Sequence, residues 1–428
     1  MFTKKTIRDV SLKGKRVLLR ADYNVPIEDG DVADDYRLQQ SLPTLNYLLE
    51  HGASVVICSH LGRPKNNKDA SCSLAPVAKR LQTLLKKPVQ FVDDCVGPKA
   101  QESAAALNPG QVLLLENVRY YKQEEANDSD FAKQLASLAD IFVQDGFGVV
   151  HRAHASTAAV TQFLPSVAGL LLEREVDTIT SIIKKPKRPL VAIVGGAKIA
   201  DKIDVLHAFI ELADVVAIGG AMANTFLRAS GVDVADSLVA EDELPVARDI
   251  MRQAVAEAKE RDFVFALPKD GVVATNIDAK NTTRIIDWGA HITADIEAYP
   301  KRVSPAATRI AKREKILDIG PFSGAFIAGM VQLAETVVWN GTMGVTEVDG
   351  PQGPVGPYAH GTELVVDAML GQFGHKPFSM VGGGDTVAYV QERGLTDAFD
   401  HVSTGGGASL ELLSGRILPG VAALQDVK

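Results

Sequence analysis

Leu190-Val-Ala-Ile-Val-Gly-Gly-Ala-Lys-Ile-Ala-Asp-Lys202 is the stretch on which the fold class turns. Its five leading residues are apolar and partly β-branched, as in a strand buried on both faces, and the Gly195-Gly196 pair ends the run where a helix can begin. Working outward, similar short runs recur at 215–218, 263–266, 315–319, 337–339 and 378–381, separated by stretches long enough for crossover helices. Toward the N-terminus the same pattern occupies 17–20, 54–59, 112–115 and 141–145. No repeat of solenoid length accompanies it. The expected class is therefore α/β, as two doubly wound parallel-sheet (Rossmann-like) domains joined by an interdomain helix and hinge.

The boundary is set by 169–183, where Leu172, Val176, Ile179 and Ile183 fall at i, i+4, i+7 and i+11 on one helical face. Lys184-Lys-Pro-Lys-Arg-Pro189 stops that helix, since cations suit its C-terminus and the prolines forbid continuation. The expected division is an N-terminal domain over 1–168, an interdomain helix and linker over 169–189, and a C-terminal domain over 190–403.

Composition narrows the function classes. With 428 residues, 46% of them hydrophobic, the chain can bury a large core, and its formal charge of −8 argues against a broad basic face for nucleic acid. Cys58, Cys72 and Cys95 form neither a disulfide framework nor a C-x-x-C metal spacing. The first residues lack an apolar leader, and the uncharged 319–334 region is broken by Gly and Pro, so no membrane association is expected and the location is read as cytoplasmic.

Ligands of open parallel sheets sit at the carboxyl ends of strands. In the first half those positions are polar and mostly cationic: Asp22, Asn24 and Arg37 after the first run, His60 and Arg63 after the second, Arg119 after the third, and His151, Arg152 and His154 after the fourth. Four arginines converging on one crevice repel each other unless an anion joins them, and guanidinium suits phosphate and carboxylate, so a small polyanionic substrate is implied. In the second half the corresponding loops are glycine-rich: Gly195-Gly196, Gly219-Gly220, Asn340-Gly341, Gly382-Gly-Gly-Asp-Thr386 and Ser403-Thr-Gly-Gly-Gly-Ala-Ser409. Such loops let backbone N–H groups approach phosphates. Lys198 and Lys202, four apart, are expected on one face of a helix starting near Gly195. Asp385 suits a metal held by one carboxylate and phosphate oxygens. Neither G-x-x-x-x-G-K-[ST] nor a helix-opening G-x-G-x-x-G is present, which disfavours P-loop proteins and nicotinamide dehydrogenases.

Taken together, Asp22-x-Asn-Val-Pro26, Ser59-His-Leu-Gly-Arg-Pro64, Glu116-Asn-Val-Arg119, Asp145-x-Phe-Gly148, His151-Arg-Ala-His154, Gly195-Gly-Ala-Lys-x-x-Asp-Lys-Ile203, Leu317-Asp-Ile-Gly-Pro321, Trp339-Asn-Gly341, Gly382-Gly-Gly-Asp-Thr386 and Val402-Ser-Thr-Gly-Gly-Gly-Ala-Ser409 closely resemble the phosphoglycerate kinase family over nearly the whole chain. The resemblance implies reversible phosphoryl transfer between 1,3-bisphosphoglycerate and ADP. It implies that Asp22, Asn24, Arg37, His60, Arg63, Arg119 and Arg152 bind 3-phosphoglycerate. It assigns the nucleotide to Gly195, Lys198, Lys202, Gly219, Gly220, Asn340, Glu347, Gly384, Asp385 and Thr386, with Mg²⁺ on Asp385. Arg37, Lys198, Lys202 and the helix N-terminus at Gly405 and Gly406 are the expected catalytic groups. The last segment, 404–428, is expected to return to the N-terminal domain, and the chain to act as a monomer.

The sequence departs from that family's pattern at Ala221, Asn224, Lys269-Asp270, Thr342, Thr346 and the Gly/Pro-rich 350–357, positions expected on the nucleoside side of the site. Two other functions fit the sequence less well. A dehydrogenase lacks its fingerprint, and an inactive nucleotide-binding homologue would have shed charged site residues, all of which are present.

Overall fold

The computed structural model describes residues 2–66, 69–278, 280, 282–288, 309–350 and 355–427. Part of the Gly/Pro-rich 350–357 stretch, 351–354, therefore lies outside the described residues. Internal contacts divide the chain into one unit formed by Met1–Ser181, Gly407–Leu412 and Arg416–Lys428, and another formed by Ile182–Gly406 and Leu413–Gly415. The division falls inside the helix Leu170–Lys184.

The first unit holds β1 (Arg16–Arg20), β2 (Ile27–Glu28), β3 (Asp31–Val32), β4 (Ser54–Cys58), β5 (Val89–Val92), β6 (Val112–Leu115), β7 (Ile141–Gln144) and β8 (Ser166–Ala168). Six of them form a sheet in the order β5-β6-β4-β1-β7-β8, and every pair in it is parallel. Alternation places Val17, Leu19, Val55, Ile57, Val112, Leu114 and Val143 in one core with Leu45 and Leu48 of the helix Tyr36–Glu50 and Val77 and Leu81 of the helix Ala75–Leu85. Leu18, Val56 and Leu113 on the opposite face are equally buried, which is why these strands read as unbroken apolar runs. The short strands β5 and β8 escape the sequence reading. Val-Gln-Phe-Val alternates weakly at the sheet's edge, and Ser-Val-Ala has too few apolar residues to register.

In the second unit, β9 (Leu190–Val194), β10 (Val215–Ile218), β11 (Val264–Ala266), β12 (Asp270–Ala274), β13 (Arg284–Asp287), β14 (Lys315–Ile319), β15 (Thr336–Asn340), β16 (Phe378–Gly382) and β17 (His401–Val402) make two sheets. The larger runs β11-β10-β9-β15-β16-β17 and is parallel throughout. One expectation is corrected here. Residues 315–319 do not join that sheet but pair antiparallel with β12 in a separate three-stranded sheet, β13-β12-β14. The reason is β12, whose polar opening Asp270-Gly271 hides a buried strand that offers β14 a nearer partner.

Helix placement in the first unit depends on one buried acid. Asp145 follows β7, and its Oδ1 accepts the N–H groups of Leu171 (3.0 Å) and Leu172 (3.2 Å) in the first turn of Leu170–Lys184. This satisfies two orphan donors of the helix's first turn. A Cβ on Gly169 would lie 2.1 Å from that oxygen, so the approach requires glycine. Burial pushes the Asp145 carboxyl up to about 7. An acid whose pKa is raised on folding contributes most favourably below its unfolded value near 4, and that contribution is lost as pH rises through about 7. In Asp145→Asn, whose amide oxygen still accepts both N–H groups, ~2–3 kcal/mol of the stability lost between pH 5 and pH 8 should disappear. Urea melts across that range decide it, and parallel curves for the two proteins would refute the assignment.

Candidate functional sites

Strand order explains where chemistry can gather. In the first sheet β1 has β4 on one side and β7 on the other, and in the second β9 has β10 and β15, so the loops leaving these neighbours part and open a crevice at each switch point.

At the first crevice the loops after β1, β4, β6 and β7 hold one another in place. Asn24 Oδ1 accepts the Gly62 N–H at 2.8 Å, and Arg119 Nη1 donates to the Gly62 carbonyl at 2.9 Å. Asn117 Nδ2 donates to the carbonyls of Leu61 (2.7 Å) and Cys72 (2.8 Å). Glu116 accepts from Ser73 Oγ (2.7 Å) and Leu74 N (2.8 Å). Within Glu116-Asn-Val-Arg119, the first two residues thus brace loops, and Arg119 ties the Gly62 turn to Glu125, 3.3 Å from its Nε. Arg37 Nη1 donates to Asp22 Oδ2 at 2.8 Å. Arg63 is exposed and has no partner among the described residues, while Arg152 is exposed and donates from Nε to His151 Nε2 at 3.0 Å.

His60 marks the focus of this charge. It is buried, and burial followed by the fields of Arg20, Arg119, Arg37 and Arg152 holds its pKa well below the usual imidazole range. The ring is therefore neutral at pH 7, and its 3.8 Å approach to Asp22 is not an ion pair. Because arginine only donates, the contact from Arg20 Nη2 (3.4 Å) makes Nδ1 the acceptor and leaves the proton on Nε2. Burial and Arg119 likewise push His154 down to about 4, and burial with Arg152 lowers His151. These histidines are neutral hydrogen-bonding groups.

Two residues that sequence reasoning missed lie beneath the crevice. Arg20, the last residue of β1, is 1% exposed and donates to Ser156 Oγ at 2.7 Å and to the Ala21 carbonyl. Glu124 is fully buried and accepts the Ser156 N–H (2.9 Å) and Oγ–H (2.6 Å), so one serine links a buried cation to a buried anion. Burial raises the Glu124 pKa and Arg20 opposes it. The available signal was an arginine ending the apolar run Arg-Val-Leu-Leu-Arg20.

At the second switch point glycine serves packing as much as ligand approach. A Cβ on Gly195 would meet the Thr342 carbonyl at 2.1 Å, one on Gly220 the Gly196 nitrogen at 2.5 Å, and one on Gly341 the Gly195 carbon at 2.3 Å. Gly196 and Gly341 also have φ of +105° and +101°. Thr386 Oγ1 accepts the Gly341 N–H at 2.7 Å, which ties the loop after β15 to the helix Gly384–Glu392. Lys202 Nζ donates to Asn340 Oδ1 at 2.7 Å, and the buried Asn340 Nδ2 has no partner. Burial lowers the Lys202 pKa, with Asp201 and Asp385 opposing. A half-buried ammonium beside an unsatisfied amide N–H is a fitted anion seat. Asp385 is exposed in the first turn of Gly384–Glu392. The described residues contain no group of three or more His, Cys, Asp or Glu able to hold a metal by themselves. One carboxylate beside an anion seat fits a magnesium ion whose other ligands are phosphate oxygens and water.

Gly196, Gly220, Asp385 and Glu347 line a cleft of about 490 Å³ that continues past Ala221, Asn224, Leu227, Leu238, Ile277 and Trp288. Of the departures from the family pattern, Ala221, Asn224, Thr342 and Asp270 line it, whereas Lys269 and Thr346 do not. Asp270 also caps the helix Pro321–Leu333, accepting the N–H groups of Phe322 and Ser323 at 2.9 Å each. The expectation that Lys198 and Lys202 share a helical face is corrected. Residues 200–202 form a 3₁₀ turn, the helix starts at Ile203, and Lys198 stands exposed in the preceding loop, because Gly196 at positive φ turns the chain away from helical geometry. At the other loop, Gly405 N–H donates to Ser403 Oγ (3.2 Å) just before the helix Gly406–Leu413, and a Cβ on Gly406 would approach the Gly384 nitrogen at 3.4 Å.

Residues 7–416 match the sequence profile described as phosphoglycerate kinase. A protein of that name from Moorella thermoacetica is 45% identical over 99% of this chain and all of its own length. One from Chloroflexus aurantiacus is 47% identical, with full coverage of both. Among solved structures, phosphoglycerate kinase from Coxiella burnetii superposes with a TM-score of 0.80 at 35% identity, covering 98% of both chains. That from Pyrococcus horikoshii gives 0.81 at 29% identity, covering 99% of this chain and 98% of its own.

Proposed function

Because the chain belongs to the phosphoglycerate kinase family, and so transfers a phosphoryl group reversibly between 1,3-bisphosphoglycerate and ADP, we propose that its two switch-point crevices divide the substrates between them. The basic crevice takes 3-phosphoglycerate through Asp22, Asn24, Arg37, His60, Arg63, Arg119 and Arg152. The glycine-lined cleft takes the nucleotide through Gly195, Lys202, Gly219, Gly220, Asn340, Glu347, Gly384, Asp385 and Thr386. The observation that carries this reading is the pairing of the Lys202 ammonium, held by Asn340 Oδ1, with the adjacent Asn340 Nδ2, a buried donor that has no partner.

The chemistry needs little beyond alignment and charge. The carboxylate of 3-phosphoglycerate is ionised at neutral pH and attacks the γ-phosphorus without a general base; the bond to the ADP oxygen breaks, and the reverse reaction retraces the path. Lys202 and Arg37 neutralise the equatorial oxygens, and the N–H groups at Gly405 and Gly406 supply a preorganised dipole. Lys198, exposed in its loop, reaches phosphate from outside the cleft. Asp385 would hold Mg²⁺, which supplies charge neutralisation on the nucleotide phosphates when bound. The neutral histidines donate hydrogen bonds.

The working division is 1–168 with 404–428 for the acid substrate, 190–403 for the nucleotide, and 169–189 as the hinge between them. One chain carries both residue sets, so a monomer suffices. Three buried free cysteines suit the cytoplasm, and no described helix is long and apolar enough to cross a membrane.

Lys202→Ala should lower kcat about 10²–10³-fold, roughly 3–4 kcal/mol, while the fold and 3-phosphoglycerate affinity persist; a variant with unchanged turnover defeats its assignment. Arg63→Ala and Arg152→Ala should each weaken 3-phosphoglycerate binding by about 1.5–3 kcal/mol with MgADP affinity unaltered, as calorimetry with each ligand will show. Loss of nucleotide affinity instead would place these arginines wrongly. Reacting atoms must come within about 3–3.5 Å, so small-angle scattering should record a smaller radius of gyration in the ternary complex than in the free protein. Coincident profiles would contradict closure about 169–189.

A further inference from the structure

The nucleotide cleft contains a polar side chain whose need is unmet. Asn224 lies on the helix Gly220–Ala229, one turn beyond the Gly219-Gly220 loop, and lines the cleft while only 1% exposed. Its Nδ2 donates a long hydrogen bond of 3.3 Å to the Leu238 carbonyl. Its Oδ1 is buried with no donor. The orientation of the amide is not interchangeable, because a carbonyl partner demands the NH₂ end. An acceptor left unpaired in such a place is expensive, and native proteins retain few of them without a reason.

The surroundings indicate the missing donor. Leu227, Leu238, Ile277 and Trp288 line the same cleft, and Leu238 and Ile277 stand 63% and 54% exposed, large apolar side chains left for a planar apolar body to cover. Gly196, which packs beside Lys202, and Asp385, the residue assigned to Mg²⁺, line the same cleft. Between apolar walls, a nucleobase presents a flat face to the side chains and its polar edge to whatever acceptor or donor lies in its plane.

We propose that Asn224 is a specificity-determining residue that recognises the exocyclic amine of adenine through Oδ1. The proposal rests on the nucleotide reading of this cleft and adds to it a reason for base preference. The amide is held by one weak bond, so it can adjust to an entering amine. A base lacking that amine leaves Oδ1 unpaired in the complex as in the free protein, and so gains nothing from this position.

The test compares ATP with purine riboside triphosphate, which lacks only the amine, in the direction that consumes 3-phosphoglycerate. The wild-type kcat/KM should favour ATP by about ten-fold, the worth of one neutral hydrogen bond at a buried acceptor. In Asn224→Leu, of similar volume, that ratio should fall to about one because ATP loses its advantage, and the free protein should melt at a higher temperature because the unpaired acceptor is gone. Asn224→Ala, compatible with the helix, provides the same ratio should the leucine variant fail to fold. A wild-type ratio near one, or a ratio kept in a folded variant, overturns the proposal. Ala221→Trp separates this from the broader reading. A tryptophan there fills the cleft and should raise the KM for both nucleotides; if a folded Ala221→Trp leaves both KM values unchanged, the nucleotide does not bind in this cleft and the reading beneath the proposal falls as well.

Discussion

Like charges gathered at the carboxyl ends of one sheet set the terms for the whole first unit. Arg20, Arg37, Arg119 and Arg152 all act on the buried His60, and such a set is tolerable only where each guanidinium is braced and part of its charge is balanced. Asp22 takes Arg37, the Gly62 carbonyl and Glu125 take Arg119, and Ser156 joins Arg20 to Glu124. Burial, reinforced by the residual field, keeps His60 without a proton, so that the ring adds a donor to the crevice without adding charge. On the proposed reading, an anionic substrate completes a balance that the protein leaves open.

The second unit solves a different problem, the close approach of three backbones. The loops after β9, β10 and β15 touch through Gly195, Gly196, Gly220 and Gly341 at distances that no Cβ would permit. This contact places Asn340 against Lys202, and Thr386 against the Gly341 amide. The glycines therefore act on phosphate chemistry at one remove, by allowing polar groups from separate strands to meet. A helix N-terminus alone attracts an anion, but a lysine and an amide held against it give the site a fixed position.

Stability and function draw on the same features in opposite senses. Asp145 and Glu124 are buried carboxyls whose pKa values are raised by desolvation, and Asn340 and Asn224 each carry a buried polar atom with no partner. A chain optimised for folding alone would replace such groups with apolar ones. Asn224 lines the cleft and Asn340 sits against Lys202, whereas the two acids support neighbouring elements, and on the proposed reading this separates groups kept for binding from groups kept for position.

The parallel strands were legible because burial on both faces demands uninterrupted apolar runs, and the loops were legible because arginines recur at successive strand ends of one half and glycines at those of the other. Thus the sequence by itself determined the α/β class and the family, and it singled out Arg37, Arg119, Lys202, Asn340 and Asp385 as candidates. It did not disclose that 315–319 belongs to an antiparallel sheet, that Lys198 precedes its helix, or that Arg20 and Glu124 lie beneath the basic crevice. Those outcomes depend on which strand finds which partner and on which polar atoms remain unpaired once packing is complete. Local pattern cannot contain them, because the partners of Asn224 and Arg20 come from segments distant in the chain, and only the folded structure brings Leu238 and Ser156 to them.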